Sequence, residues 1–217
     1  MEQVRPVGPE GHTHAPSQVT PAQAESAAGT EFGPRDFRNA LGRFATGITV
    51  VTMLAPGTPA EPAGRNEGRT QPQGEPNIET DHGQPRTFGL TVNAFMSVSL
   101  DPPLVAVSLD KRARAHATML EAPRFGISVL AEGQEGLSDV FAGRPVQPPS
   151  QPFEEFAGFP VVRGALTHLV LSSYQAHDAG DHTIFVGRVE ALRYSEGEPL
   201  LFFKGQYQEL SAGEAVR

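Results

Sequence analysis

The 217-residue chain contains no cysteine and no tryptophan. The missing cysteine excludes disulfides, thiolate nucleophiles and cysteine-ligated zinc. It is compatible with a reducing cytosol. Positive charge is scarce. Lys and Arg total 17 against 25 Asp and Glu, for a net charge of -8. A chain of that balance lacks the basic field that draws proteins nonspecifically to nucleic acid or an anionic membrane. No apolar run approaches the roughly 18 residues of a transmembrane helix. The N-terminus has neither the basic start nor the apolar stretch of a signal peptide. The expectation is a cytoplasmic protein without nucleic-acid or membrane partners.

Catalytic signatures are also missing. There is no G-x-G-x-x-G after a strand, no nucleophile elbow in Ser-His-Asp order, and no close pair of candidate acid/base carboxylates. Nothing here equips the chain for hydrolysis, which fits chemistry carried by a cofactor that the protein only positions. No repeat of 20–50 residues is visible.

Two segments lack the apolar residues a core needs. Residues 1–30 contain no Leu, Ile or Phe, and residues 56–86 hold six Pro and five Gly with Ile78 as their only large aliphatic. Such stretches cannot bury enough surface to offset their ordering entropy. The expected organisation is a disordered tail over 1–33, one domain over 34–210 interrupted by a low-complexity insertion at 56–86, and a short tail over 211–217. Without tail and insertion about 155 residues remain, enough for one core.

What is present reads as β-dominated. Residues 34–46 predict a helix with Phe37, Ala40, Leu41 and Phe44 on one face. Residues 48–54, 88–100, 104–109, 125–130, 166–177, 182–194 and 200–204 predict strands, with a hairpin turn at 178–181 and a Pro-Pro corner at Pro102 and Pro103. Short helices are expected over 111–121, with Asp110 as a cap, and over 134–142. Residues 144–164, with five prolines, read as irregular. Six or seven strands against three helices predict a barrel with helices outside it.

The most informative stretch is 88–100. By alternation, Leu90, Val92, Ala94, Met96, Val98 and Leu100 share one sheet face. Thr91, Asn93, Phe95, Ser97 and Ser99 share the other, with no charge. Small neutral donors and acceptors suit a flat heteroatom-edged ligand, although hydroxyls on a half-buried strand read the same way. Lys111, Arg112 and Arg114 follow at a predicted helix start. There they form either a phosphate grip or a solvated face. His177-Asp178-Ala179-Gly180-Asp181-His182 invites a metal reading. Turn carboxylates usually bond local backbone, however, and no second ligand cluster completes a site, so no metal is expected. Lys204 before Gly205 permits close backbone approach.

Laid in order, F-R-N-A-L-G-R-F-A-T-G-I-T-V-V-T, G-L-T-V-N-A-F-M-S-V-S-L-D-P-P-L-V, F-G-I-S-V-L-A, F-A-G-R, G-A-L-T-H-L, A-G-D-H-T-I-F-V-G-R-V and L-L-F-F-K-G-Q-Y span most of residues 35–210. The chain resembles the flavin reductase-like family, the short-chain NAD(P)H:flavin oxidoreductases that serve two-component monooxygenases. The resemblance implies a mainly β, Greek-key split barrel of the FMN-binding type with a few short flanking helices. It implies a homodimer, FMN or FAD as the flavin, NADH or NADPH as co-substrate, and hydride transfer to flavin N5 for a partner monooxygenase. It also implies that Thr91, Asn93, Ala94 and Ser97 contact the flavin. Ser108 with the 110–116 segment, including Lys111, Arg114 and His116, would lie near ribityl and phosphate. Phe141 and Arg144 would approach from the next helix, His182 would stand beside the nicotinamide, and Lys204 with Tyr207 would close the site. Members of that family usually carry a small hydroxyl residue where this chain has Ala115, and often an acidic residue at Arg188. A flavoprotein that keeps its flavin and acts on another small molecule, such as a corrinoid, stays open. So does a non-catalytic flavin- or haem-binding module.

Overall fold

The computed structural model describes residues 32–55 and 86–210; the N-terminal tail up to 31, the insertion up to 85 and the C-terminal tail inferred from sequence lie outside the described residues. The chain divides into two units, one ending at Arg38 and one beginning at Asn39. In the first, α1 (Pro34–Leu41) begins, with the Asp36 carboxylate accepting from the Gly33 N–H (3.0 Å). The predicted apolar face exists, but no residue of α1 is buried. The helix also stops at Leu41, short of the predicted 46, because Thr46–Gly47 forms a strand, β1.

The second unit is built on one antiparallel sheet of seven strands: β2 (Thr49–Ala55), β3 (Arg86–Val92), β4 (Phe95–Leu100), β5 (Pro103–Asp110), β6 (Arg124–Val129), β9 (Thr167–Ala179) and β10 (His182–Tyr194). Their spatial order is β3-β2-β6-β9-β10-β5-β4. The sheet's two edges, β3 and β4, are consecutive in sequence and joined by Asn93 and Ala94 alone. Val92 and Phe95 are therefore at most about 11 Å apart, and the sheet must curl until its edges approach one another. The Ser108 N–H donating to the Ala94 carbonyl (3.0 Å) fastens this meeting point to β5.

This corrects the reading of 88–100 as one strand. The alternation runs unbroken through the sequence, but the chain bends at Asn93–Ala94, and a bulge between Ser97 and Ser99 shifts the register again. Phe95 packs on the core, whereas Met96, Val98 and Leu100, which alternation put on one face with the buried Val92, are 54%, 46% and 92% exposed.

β2 is buried on both faces, which accounts for its unbroken V-V-T-M run. Val51 and Met53 join Val92, Val107, Leu109, Met119, Phe125, Ile127, Leu171 and Phe185 inside the curl. Val50 turns to a second cluster with Ile48, Leu130, Val140, Phe141, Val162 and Leu200. Its two buried hydroxyls are satisfied, Thr49 by the Val92 carbonyl (2.6 Å) and Thr52 by the Pro160 carbonyl (2.7 Å).

Two helices flank the sheet, α2 (Arg114–Glu121) and α3 (Glu135–Phe141). The irregular segment expected over 144–164 in fact contains a hairpin, β7 (Phe153–Phe156) and β8 (Phe159–Val162), whose turn places Ala157 and Gly158 at φ 50° and 70°. The expected last strand is likewise a hairpin, β11 (Leu201–Phe203) and β12 (Gln206–Gln208), which forms a small sheet with β1. The described residues thus carry twelve strands and three helices. No helix among them is long and apolar enough to cross a membrane.

Candidate active site

The bend where the sheet's edges meet presents Asn93, Ala94 and Ser97 to solvent, with no charged side chain between Leu90 and Leu100. Two groups of residues flank it, one at the β5–α2 turn and one on α3.

The first flank gathers Ser108, Lys111, Arg114, His116 and His182. Antiparallel register puts Ser108 opposite Ile184 and Asp110 opposite His182. Asp110 does not cap α2. The cap position is Ala113, without a side-chain bond, and α2 starts only at Arg114. The Asp110 carboxylate instead accepts the Arg112 N–H (2.8 Å) and pairs with the Arg112 guanidinium (2.6 Å). This pairing holds the Asp110 carboxyl far below the usual carboxylate range. Lys111 Nζ lies 3.3 Å from Asp178, and the Lys111 N–H donates to the Asp181 carbonyl (2.9 Å). The basic cluster read from the sequence is therefore interleaved with Asp110, Asp178 and Asp181, and its charge is largely offset. Arg114 has an interaction partner of its own.

His182 Nδ1 lies 2.7 Å from the Asp181 carboxylate, which this hydrogen bond lowers in pKa. His116 Nε2 lies 2.9 Å from Thr183 Oγ1, and its ring meets Phe185 edge-on. Ala115 is buried in the core. His177 bonds Gln175 (3.2 Å) rather than joining His182.

The second flank gathers Thr91, Phe141, Arg144 and Tyr207 around α3. The Thr91 hydroxyl donates to the Ser138 carbonyl (2.7 Å), tying the end of β3 to the helix. The Tyr207 hydroxyl reaches Ser138 Oγ (3.0 Å) and makes a short bond to Asp139. Burial first, then this bond to Asp139, raises the Tyr207 pKa above its ordinary value. Arg144 Nη1 pairs with the same Asp139 oxygen (2.9 Å), while its guanidinium carbon lies 5.9 Å from the Tyr207 ring centre. Phe141 is buried (1% exposed), and its ring covers Gly89 so closely that a Cβ there would meet it at 2.4 Å.

Lys204 occupies the β11–β12 turn at φ 51°, followed by Gly205 at φ 80°. Its N–H donates to the Gly42 carbonyl (2.9 Å), and its ammonium lies 4.9 Å from the Phe203 ring centre. An open cleft of about 470 Å³ lies beside β7 and β8, lined among others by Leu54, Thr87, Glu154 and Arg163. It includes none of the residues singled out from sequence.

Sequence reasoning missed Ser138 and Asp139, the two residues that join Thr91, Arg144 and Tyr207. The signal was slight: in G-L-S-D-V-F two small polar residues precede Phe141 on a helix otherwise read only for its apolar positions.

The uncharged polar bend exposed between two ion-paired flanks is the candidate small-molecule site. Comparison with known proteins identifies the family. The flavin reductase like domain matches residues 41–211, and the chain belongs to that family. It is 40% identical over 180 residues to an NADH-dependent flavin reductase of a Rhodococcus species, covering 83% of this chain and 88% of that one. It is 38% identical over 179 residues to the NADH-using FMN reductase SmoA of Agrobacterium fabrum, covering 82% and 86%. Among solved structures, the flavin reductase PheA2 superposes with a TM-score of 0.66 at 36% identity, covering 83% of this chain and 99% of that one. An NADH:FAD oxidoreductase of Streptomyces globisporus, in complex with NAD and FAD fragments, superposes with a TM-score of 0.64 at 30% identity, covering 85% and 99%.

Proposed function

We propose that this chain is an NADH-dependent flavin reductase that delivers reduced FMN or FAD to a separate monooxygenase. The observation that carries the reading is the exposed, uncharged Asn93–Ala94–Ser97 surface at the junction of the curled sheet, in a chain of this family. Relatives named as reductase components of monooxygenases support the partner. One is the 4-hydroxyphenylacetate 3-monooxygenase reductase component of Thermus thermophilus, 37% identical over 175 residues.

The residues present fit a flavin. Asn93 and Ser97 offer neutral donors and acceptors to a heteroaromatic ring, and the exposed backbone at Ala94 admits close approach. The β5–α2 turn brings the Lys111 and Arg112 cations to a phosphate tail, each shared with an acid, while the Lys111, Arg112 and Ala113 N–H groups are taken by Asp181 and Asp110. When bound, the flavin supplies the hydride-accepting centre. The protein's share is orientation and exclusion of water, so no side chain need act as nucleophile. Asp181 engages Nδ1 of His182, which leaves Nε2 to meet the nicotinamide. His182 positions the dinucleotide and is not an obligatory base.

The curl of the sheet and its order support a split barrel. The exposed apolar side chains of edge strand β4, Met96 and Val98, support a homodimer formed through that face. Use of NADH supports a cytoplasmic location. The test is steady-state NADH oxidation with FMN, FAD and riboflavin added in turn. Turnover that rises with added free flavin supports a reductase. A protein that stays yellow through gel filtration and ignores added flavin would favour the flavoprotein reading.

A further inference from the structure

The α3 flank contains a junction centred on Asp139, a residue to which the reductase reading gives no role. One oxygen, Asp139 Oδ1, both receives the Tyr207 hydroxyl and pairs with the Arg144 guanidinium. The carboxylate is mostly buried (21% exposed), whereas Arg144 is about half exposed (53%). Backbone and ring add to the hold: the Arg144 N–H donates to the Asp139 carbonyl (3.0 Å), and the Tyr207 ring lies against the guanidinium. A guanidinium fixed by a carboxylate and backed by an aromatic ring has lost most of its rotamer freedom before any ligand arrives. Its remaining N–H groups form a fork that matches phosphate geometry. Ser138, the neighbouring residue, takes Thr91 at its carbonyl and Tyr207 at its hydroxyl, so this fork is tied to the end of β3, two residues from the bend.

We propose that Asp139 is a positioning residue that holds Arg144 ready for a phosphoryl group of a bound nucleotide. The inference rests on the reductase reading and deepens it. The phosphoryl group belongs either to the flavin or to the nicotinamide dinucleotide, and the two sources separate by experiment. Riboflavin lacks the phosphate of FMN. 1-Benzyl-1,4-dihydronicotinamide donates hydride as NADH does but carries no phosphate.

The quantity to measure is the ratio of kcat/KM for each phosphate-bearing substrate to that of its phosphate-free counterpart, so that general losses of activity cancel. In Asp139→Ala one of the two ratios should fall about tenfold, through KM. Asp139→Asn, which keeps an acceptor oxygen, should recover part of the loss. In Arg144→Ala the same ratio should fall, and adding Asp139→Ala should lower it no further. The sign is diagnostic. Removing a negative charge beside Arg144 would, by electrostatics alone, tighten phosphate binding, so a ratio that rises or stays level overturns the inference. Additive losses in the double variant overturn it too, as does a wild-type protein indifferent to phosphate on both substrates. Where the alanine variant fails to fold, the asparagine variant carries the same comparison, and its effect must vanish in the Arg144→Ala background. A wild-type protein that reduces no flavin defeats the reductase reading itself. An active one whose ratios ignore Asp139 defeats only this inference.

Discussion

Gly89→Ala tests whether α3 is locked to the sheet as described. Gly89 lies on β3 in register with Thr52 of β2. A Cβ at this position would stand 2.4 Å and 2.5 Å from two ring atoms of Phe141, and real Cβ contacts are never that close. Phe141 cannot swing into solvent: it is 1% exposed and packs on Phe153 at a ring separation of 5.4 Å. Overpacking of this kind costs about 1–3 kcal/mol. For a chain of this size that lowers Tm by roughly 2–12 °C. Phe141→Leu opens a gap and is destabilising alone, but in the Gly89→Ala background it removes the clash. The two effects should therefore couple favourably by about 0.5–3 kcal/mol. Urea denaturation of the wild type, both single variants and the double variant measures this directly. A Gly89→Ala protein as stable as wild type, or a double variant whose losses simply add, would refute the packing argument. Displacing α3 also moves Ser138 and Asp139, so Gly89→Ala should raise a substrate KM although the residue itself touches no ligand.

Three further outcomes are expected. His182→Ala should raise the KM for NADH about tenfold while changing that for flavin less than about threefold, and equal changes would remove its assigned role. Lys204 holds a left-handed backbone that a β-branched residue resists. Lys204→Val should therefore cost about 1–2 kcal/mol of stability in thermal unfolding, and Lys204→Gly should stay within about 1 kcal/mol of wild type. His168 is 3% exposed, against Ser128 Oγ (3.4 Å) and Glu154 (3.6 Å), and burial, then the nearby Arg193, depresses its pKa. The unfolded chain then binds a proton at this site more readily than the folded one. The stability it contributes is complete above the unfolded value near 6.5 and declines as pH falls below it. His168→Gln should flatten that decline between pH 7.5 and pH 5, to roughly the limits of a denaturation series.

The long hairpin was legible because two strand-like stretches, the second rich in β-branched residues, flank a good turn at 178–181, and the structure places its ends close to the expected residues. α3 was legible from its stop at Gly143, which has φ 74°. The break between β3 and β4 was not, because period-two alternation passes through Asn93–Ala94 unchanged and sheet curvature leaves no mark on it. β7 and β8 were hidden by brevity, four residues each among prolines. At the candidate site, the lack of charge over 91–97 was legible, and the structure leaves Asn93, Ala94 and Ser97 exposed. The pairing of Lys111 with Asp178 was not legible, because Asp178 reaches Lys111 only through the fold. Asp139 went unseen for the same reason: its partner Tyr207 lies 68 positions away.

The most direct test is a crystal structure of the protein soaked with FMN. The account predicts the flavin ring seated on Asn93, Ala94 and Ser97, with its phosphate toward the β5–α2 turn or Arg144. A flavin bound instead in the cleft beside Leu54 and Arg163, with the Asn93–Ala94 bend bare, would contradict it.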